Sequence, residues 1–171
     1  MSYRWQFWVP GPQSLWHIDG HHALIRGHLV THVGIDGYSR MIVCLKCSDN
    51  KRATTVAAQF ATACDHFSLP EKVRSDHGGE HQGARDIMQS RRGNGSFMAG
   101  TSVHNSLIER LWRDEHYGVT HTFYSLFYHL EGTGDLYAEN DLDIFALHMV
   151  YLPIINNCLC KFRGAYNAHP L

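Results

Sequence analysis

Three acidic residues stand out by type and setting: Asp19, Asp76 and Glu109. Asp19 ends the alternating stretch Trp16-His17-Ile18-Asp19. An ionised carboxylate among apolar neighbours is costly unless something compensates it; a strand-edge aspartate facing water is the plainer reading. Asp76 follows a short strand-like stretch and precedes Gly78-Gly79. Ligand sites in open α/β sheets gather at the carboxyl ends of strands, although aspartate before glycine is also a common turn former. Glu109 lies between Leu107-Ile108 and Leu111-Trp112 at the border of a helical apolar stripe, with Asn105 one turn earlier and Arg113 as an i+4 partner. Three carboxylates from two strand ends and one helix are the ligand set of a two-metal phosphoryl-transfer site. Mg²⁺ prefers hard oxygen ligands and keeps several waters. Two such ions activate the attacking oxygen and stabilise the leaving oxygen of an in-line displacement.

The elements that must position these acids follow from periodicity. Strand alternation covers Ser14 to Asp19, Leu29 to Asp36 and Met41 to Lys46, with Gly37-Tyr38-Ser39 as a hairpin-type turn. Ala53, Val56, Ala57, Phe60, Ala61, Cys64 and Phe67 recur at helical spacing, with Ser48, Asp49 or Asn50 available as cap. A short strand over 72–75, a helix over about 80–91 and a short strand over 96–99 come next, and Gly93-Asn94-Gly95 breaks between the last two. Helical spacing returns over 103–116, 120–131 and 141–166, with Pro153 kinking or dividing the last piece. The expected fold is α/β: a five-stranded mixed sheet, made of an antiparallel three-strand meander plus parallel strands, flanked by helices. Residues 1–13, with Pro10-Gly11-Pro12, read as a lead-in; 14–171 read as one core whose C-terminal part, from about 119, is helical.

Composition narrows the function classes. With 171 residues, 44% hydrophobic and 18% charged, the chain can bury a real core, so wholesale disorder is excluded. Fifteen basic against 16 acidic residues give a net charge of -1, which excludes a polybasic nucleic-acid clamp but not a local basic strip. The 14 histidines make the charge climb steeply below about pH 6.5. No wholly apolar run approaches the ~20 residues of a membrane span, and the N-terminus lacks a secretory signal pattern. Five cysteines, an odd number without a framework, favour free thiols in a reducing compartment. No basic run reads as a nuclear import signal.

Other constellations carry less. His28-x3-His32 with Cys44-x2-Cys47 mimics a zinc site, but Cys44 and Cys47 have opposite strand parity and should face opposite ways. Cys158-x-Cys160 has no spaced partner. Gly37-Tyr38-Ser39-Arg40-Met41 lacks the second glycine of a nucleophile elbow, and Gly93-Asn94-Gly95 lacks the third glycine of a dinucleotide loop. Phe123, Tyr124, Phe127 and Tyr128 read as core or subunit contact.

Four segments in register resemble the catalytic core of retroviral-type integrases and related DDE transposases: Trp16-His17-Ile18-Asp19, Gly34-Ile35-Asp36-Gly37-Tyr38-Ser39-Arg40, Ser75-Asp76-His77-Gly78-Gly79-Glu80 and Asn105-Ser106-Leu107-Ile108-Glu109-Arg110. The order and spacing fit, with 56 residues between Asp19 and Asp76 and 32 between Asp76 and Glu109. The likeness runs from about Ser14 to His169, ends on a similar Tyr166-Asn167-Ala168-His169-Pro170, and is nearest to integrase-like cores encoded in animal genomes. It implies an RNase H-like fold and a metal-dependent polynucleotidyl transferase that cleaves DNA and transfers strands. Asp19, Asp76 and Glu109 would be the catalytic and metal-binding residues, Mg²⁺ the cofactor with Mn²⁺ as substitute, and DNA the partner. Arg85, Arg91, Arg92, Asn105, Arg110 and Arg113 are the candidate DNA contacts. A homo-oligomer, no membrane and a nuclear location complete the expectation. The alternatives are a domesticated, non-catalytic core that binds nucleic acid or protein, and an RNase H-like nuclease. This chain departs from the pattern in a shorter interval before Glu109, in His77 where relatives often carry Asn, and in Leu107 where they tend to be polar or basic. With no zinc-binding module or C-terminal DNA-binding domain in the sequence, a core fragment or shortened gene product is expected.

Overall fold

Strand β1 (Leu15–His21) is extended because alternate residues have different destinations. Trp16 and Ile18 enter one core, while His21 stacks on Trp112 at the other face, with ring centroids 4.7 Å apart. In this computed structural model, which describes residues 9–100 and 106–169, β1 is the central strand of five. Strands β2 (Val30–Asp36) and β3 (Ile42–Ser48) continue from it as an antiparallel meander. Strands β4 (Lys72–Ser75) and β5 (Phe97–Ala99) add parallel on its other side, giving the order β3-β2-β1-β4-β5. The expected meander and the two parallel strands are all present. Asp36, almost fully buried, builds the hairpin turn: its carboxylate accepts from the backbone N–H and hydroxyl of Ser39 and from the backbone N–H of Gln13.

Helices cover both faces. On one, α1 (Ala53–Phe67) and α2 (Gln82–Arg92) bury Val56, Phe60, Ala63, Cys64, Ala84 and Met88 over Trp16, Ile18, Val43 and Val73. Asn50, one of the expected caps, accepts from the Arg52 N–H and the Thr55 hydroxyl ahead of α1. The two helices approach closely at Gly83, where a Cβ would stand 2.6 Å from Ala57 Cβ and 2.8 Å from the Ala53 carbonyl oxygen. On the other face lie α3 (Ser106–Glu115), α4 (His121–Thr133) and α5 (Asp141–Ala168). A π-helical turn, His116–Thr120, joins α3 to α4, so the chain runs helically from Ser106 to Thr133. Their core contains Ile108, Leu111, Trp112, Phe123, Phe127, Leu147, Ile155 and Leu159.

Helix α5 passes through Pro153 as one element of 28 residues, so proline does not divide it. The carbonyl freed by the missing proline N–H belongs to Met149, which is exposed, so water can satisfy it. By length and mean hydropathy (1.4 over its most apolar window) α5 could cross a membrane, although no wholly apolar run in the sequence is that long. Here it lies along the edge strand β3. The Asn156 carboxamide accepts from the Cys47 N–H and donates to the Cys47 carbonyl, and Asn167 does the same at Ile42. Cys44 and Cys47 join opposite cores, as their parity requires. Burial pushes both thiols up to about 12.

Candidate active site

The parallel strands β1 and β4 end side by side, and two acids stand at those ends. Asp19 lies two residues before the end of β1; Asp76 directly follows β4. Asp19 is held at both carboxylate oxygens: Oδ1 accepts from the Gly20 N–H at 2.9 Å, and Oδ2 accepts from the Trp112 indole N–H at 3.0 Å. Burial raises its pKa above the usual carboxylate value, with the like charge of Asp76 adding to the rise, while the two hydrogen bonds and His81 act the other way. Asp76 is more open; its Oδ1 accepts from the Gly78 N–H at 3.0 Å.

His81 completes the cluster. It closes the 3₁₀ turn Gly79–His81 that leads into α2, and it is buried with Nε2 3.3 Å from Asp76 Oδ1. One donor atom from each of Asp19, Asp76 and His81 lies within 4.8 Å of the other two. Glu80, in the same turn, also leans in: a Cβ on Gly78 would stand 2.7 Å from its Oε2, and one on Gly20 would stand 3.5 Å from its Oε1. Behind this edge is His32, paired across the strands with Gly20. Burial, reinforced by neighbouring His81, lowers the His32 pKa from 6.5 to about 4.

Glu109 stands exposed in the first turn of α3 and is not part of the Asp19–Asp76–His81 group. It lies three residues before Trp112, on the neighbouring turn of the same helix side, so the residue that grips Asp19 also fixes the segment carrying Glu109. Of the candidate DNA contacts, Arg110 and Arg113 are exposed on α3. The Arg85 guanidinium lies over the Phe97 ring, 5.3 Å from its centroid. Arg91 and Arg92 end α2, roughly 15 Å along the helix from its start beside His81. Arg92 there donates to the Leu69 carbonyl. Asn105 lies outside the described residues.

Sequence reasoning put Trp112 in an apolar stripe and missed its hydrogen bond to Asp19. Its alternation with Glu109 at i, i+3 was the available signal. Beyond it, the wholly buried Glu115 accepts from the Thr120 hydroxyl at Oε1 and has His21 3.6 Å from Oε2. The stacked pair His21–Trp112 therefore links a buried carboxylate to the ligand-bearing edge.

The sheet order, the helix layers and the acids at the strand ends place the molecule in the RNase H-like class, as in the catalytic cores of retroviral integrases. The BIV integrase core aligns with a TM-score of 0.59 at 15% identity, covering 93% of this chain and 86% of that one. The HTLV-2 integrase core, in complex with magnesium in a trimeric form, aligns with a TM-score of 0.54 at 15% identity, covering 90% and 87%. Comparison with curated protein sequences returned no match. The family model described as integrase core domain matches residues 6–171, and the chain belongs to that family.

Proposed function

We propose that this chain is the catalytic core of a metal-dependent polynucleotidyl transferase that cuts DNA phosphodiesters and joins strands. The observation that carries the reading is the convergence of Asp19 and Asp76 at the carboxyl ends of parallel β1 and β4. The donors fit a divalent cation: two carboxylates approach closely, and burial together with the like charge of Asp76 raises the Asp19 pKa above the usual carboxylate value. Asp19 and Asp76 would hold the ion, and Glu109 would supply the third carboxylate of the pair of sites. When bound, Mg²⁺ or Mn²⁺ acidifies the attacking hydroxyl and neutralises charge on the leaving oxygen. The protein's own part is orientation: Gly20 and Trp112 fix both oxygens of Asp19, and Gly78 fixes Asp76.

Arg110 and Arg113 supply exposed positive charge on the helix that bears Glu109. An apolar stripe on α5, made by Leu142, Phe145 and Met149 at i, i+3 and i+7 and 77%, 63% and 65% exposed, supports self-association. Light scattering should therefore report a dimer or larger species, and the DNA substrate argues for a nuclear site of action.

The deciding assay uses labelled duplex DNA with Mg²⁺ or Mn²⁺ and resolves strand transfer from hydrolysis. Wild type should give metal-dependent products; Asp76→Asn should give none while staying folded by circular dichroism. Equal products from both proteins would remove the catalytic assignment. Binding without products would favour the non-catalytic module, for which the absence of Glu109 from the Asp19–Asp76–His81 group is the specific structural argument. Cleavage confined to RNA–DNA hybrids would favour the nuclease.

A further inference from the structure

His81 is 2% exposed, yet neither of its ring nitrogens makes a hydrogen bond among the described residues. Buried polar atoms are normally paired, and one left alone calls for a physical reason. Its Nε2 faces Asp76 Oδ1 at 3.3 Å, in a geometry that is not a hydrogen bond. That separation, within ion-pair distance, also matches the edge of a coordination polyhedron. With metal–ligand bonds of ~2.1 Å, adjacent donors stand roughly 3.0 Å apart in an octahedron and roughly 3.4 Å apart in a tetrahedron. The third donor, from Asp19, lies within 4.8 Å of both. Gln59 and His81 line one small cavity with Asp19, and Gln59 Oε1 is a buried acceptor without a hydrogen bond, the type of group that orients the second nitrogen of a ligating imidazole.

We infer that His81 is the third ligand of the metal position held by Asp19 and Asp76, and that this position takes a first-row transition ion, Mn²⁺, Co²⁺ or Zn²⁺, in preference to Mg²⁺. Imidazole nitrogen suits these ions, whereas Mg²⁺ is served by carboxylate, carbonyl and water oxygens. The three ligands come from β1, the residue after β4 and the 3₁₀ turn before α2, so the position is complete without α3. Glu109 is then free to serve a second ion. The assignment rests on reading Asp19 and Asp76 as metal ligands and on no particular reaction.

The test is pulsed electron paramagnetic resonance of Mn²⁺ added to the wild-type chain, paired with calorimetric titration by Mg²⁺, Mn²⁺ and Zn²⁺. A directly bound imidazole gives a ¹⁴N coupling, which should vanish in Asp19→Asn/Asp76→Asn. His81→Asn should weaken Mn²⁺ and Zn²⁺ by about tenfold or more and leave Mg²⁺ nearly unchanged. Mn²⁺ without nitrogen coupling overturns the assignment, and so does coupling that survives in the double aspartate variant, since another histidine then supplies it. Equal losses for Mg²⁺ and Mn²⁺ in His81→Asn overturn the selectivity. If His81→Asn does not fold, the wild-type spectrum and the aspartate variants decide alone. DNA processing with no imidazole on the metal would refute this inference and leave the proposed function standing; an imidazole-bound ion with no DNA chemistry would do the reverse.

Discussion

Acidification should destabilise this protein through His32 by an amount that can be worked out beforehand. Burial, with His81 beside it, lowers the folded-state pKa of His32 from 6.5 to about 4. The unfolded chain therefore takes up the proton first. Stability is fully present above about pH 6.5, falls as the pH drops through the window, and levels off below about pH 4. That lowering corresponds to about 3 kcal/mol in all; about 1.4 kcal/mol should be gone by pH 5.5 and about 2.5 kcal/mol by pH 4.5. The other histidines and the carboxylates titrate too, so the informative quantity is a difference. Urea unfolding of wild type and His32→Leu at pH 7, 5.5 and 4.5 would isolate it, with the gap in stability shifting toward the variant by about 2.5 kcal/mol between the extremes. Parallel pH dependences, or a His32 resonance titrating near 6.5, would refute the reasoning.

Trp112→Phe deletes the donor to Asp19 Oδ2. The Asp19 carboxyl should titrate higher still by carbon NMR, and metal-dependent activity should fall about tenfold, in line with a charged hydrogen bond of about 1.5 kcal/mol. Gly83→Ala drives a methyl group into the contact with Ala57 and Ala53; about 1–3 kcal/mol should be lost by urea midpoint. DNA binding by a chain of net charge -1 should be weak, with a shallow salt slope corresponding to ~2–4 phosphate contacts. It should tighten toward pH 6 as exposed histidines gain charge, and fluorescence anisotropy at several salt concentrations and two pH values checks both.

The local patterns were the legible ones. Helix α1 spans 53–67 and β4 spans 72–75, the bounds that the periodicity implies. Asp19 and Asp76 could be placed because each belongs to a strand end. The partners of those acids could not be read, because they are distant in sequence: the Trp112 indole that grips Asp19 comes from 93 residues away. Folding buries His81 beside Asp76. The π-helical turn was hidden for a similar reason. Gly118 reads as a helix breaker, but it is where Phe162 of α5 packs, with ring atoms 3.1 Å from where a Cβ would stand. Tertiary contact, not propensity, carries the helix through.

The two asparagines that α5 lays on β3 amount to a ruler. Asn156 and Asn167 are eleven residues apart on a helix, about 16.5 Å at 1.5 Å per residue. Their targets, Cys47 and Ile42, are five residues apart on a strand, about 16.5 Å at 3.3 Å per residue. The lengths agree, but five is an odd number, and a regular strand would turn the backbone groups of two such residues to opposite sides. The register slip that sets Gly34 against Cys44 and Ile35 against Ile42 inserts one extra residue, Val43, and corrects the parity. Each carboxamide then meets an outward-facing N–H and C=O pair as a neighbouring strand would. The sheet's longer open edge is thereby closed to pairing with foreign strands. That leaves three-residue β5 as the terminal strand on the other side, too short to template an aggregate.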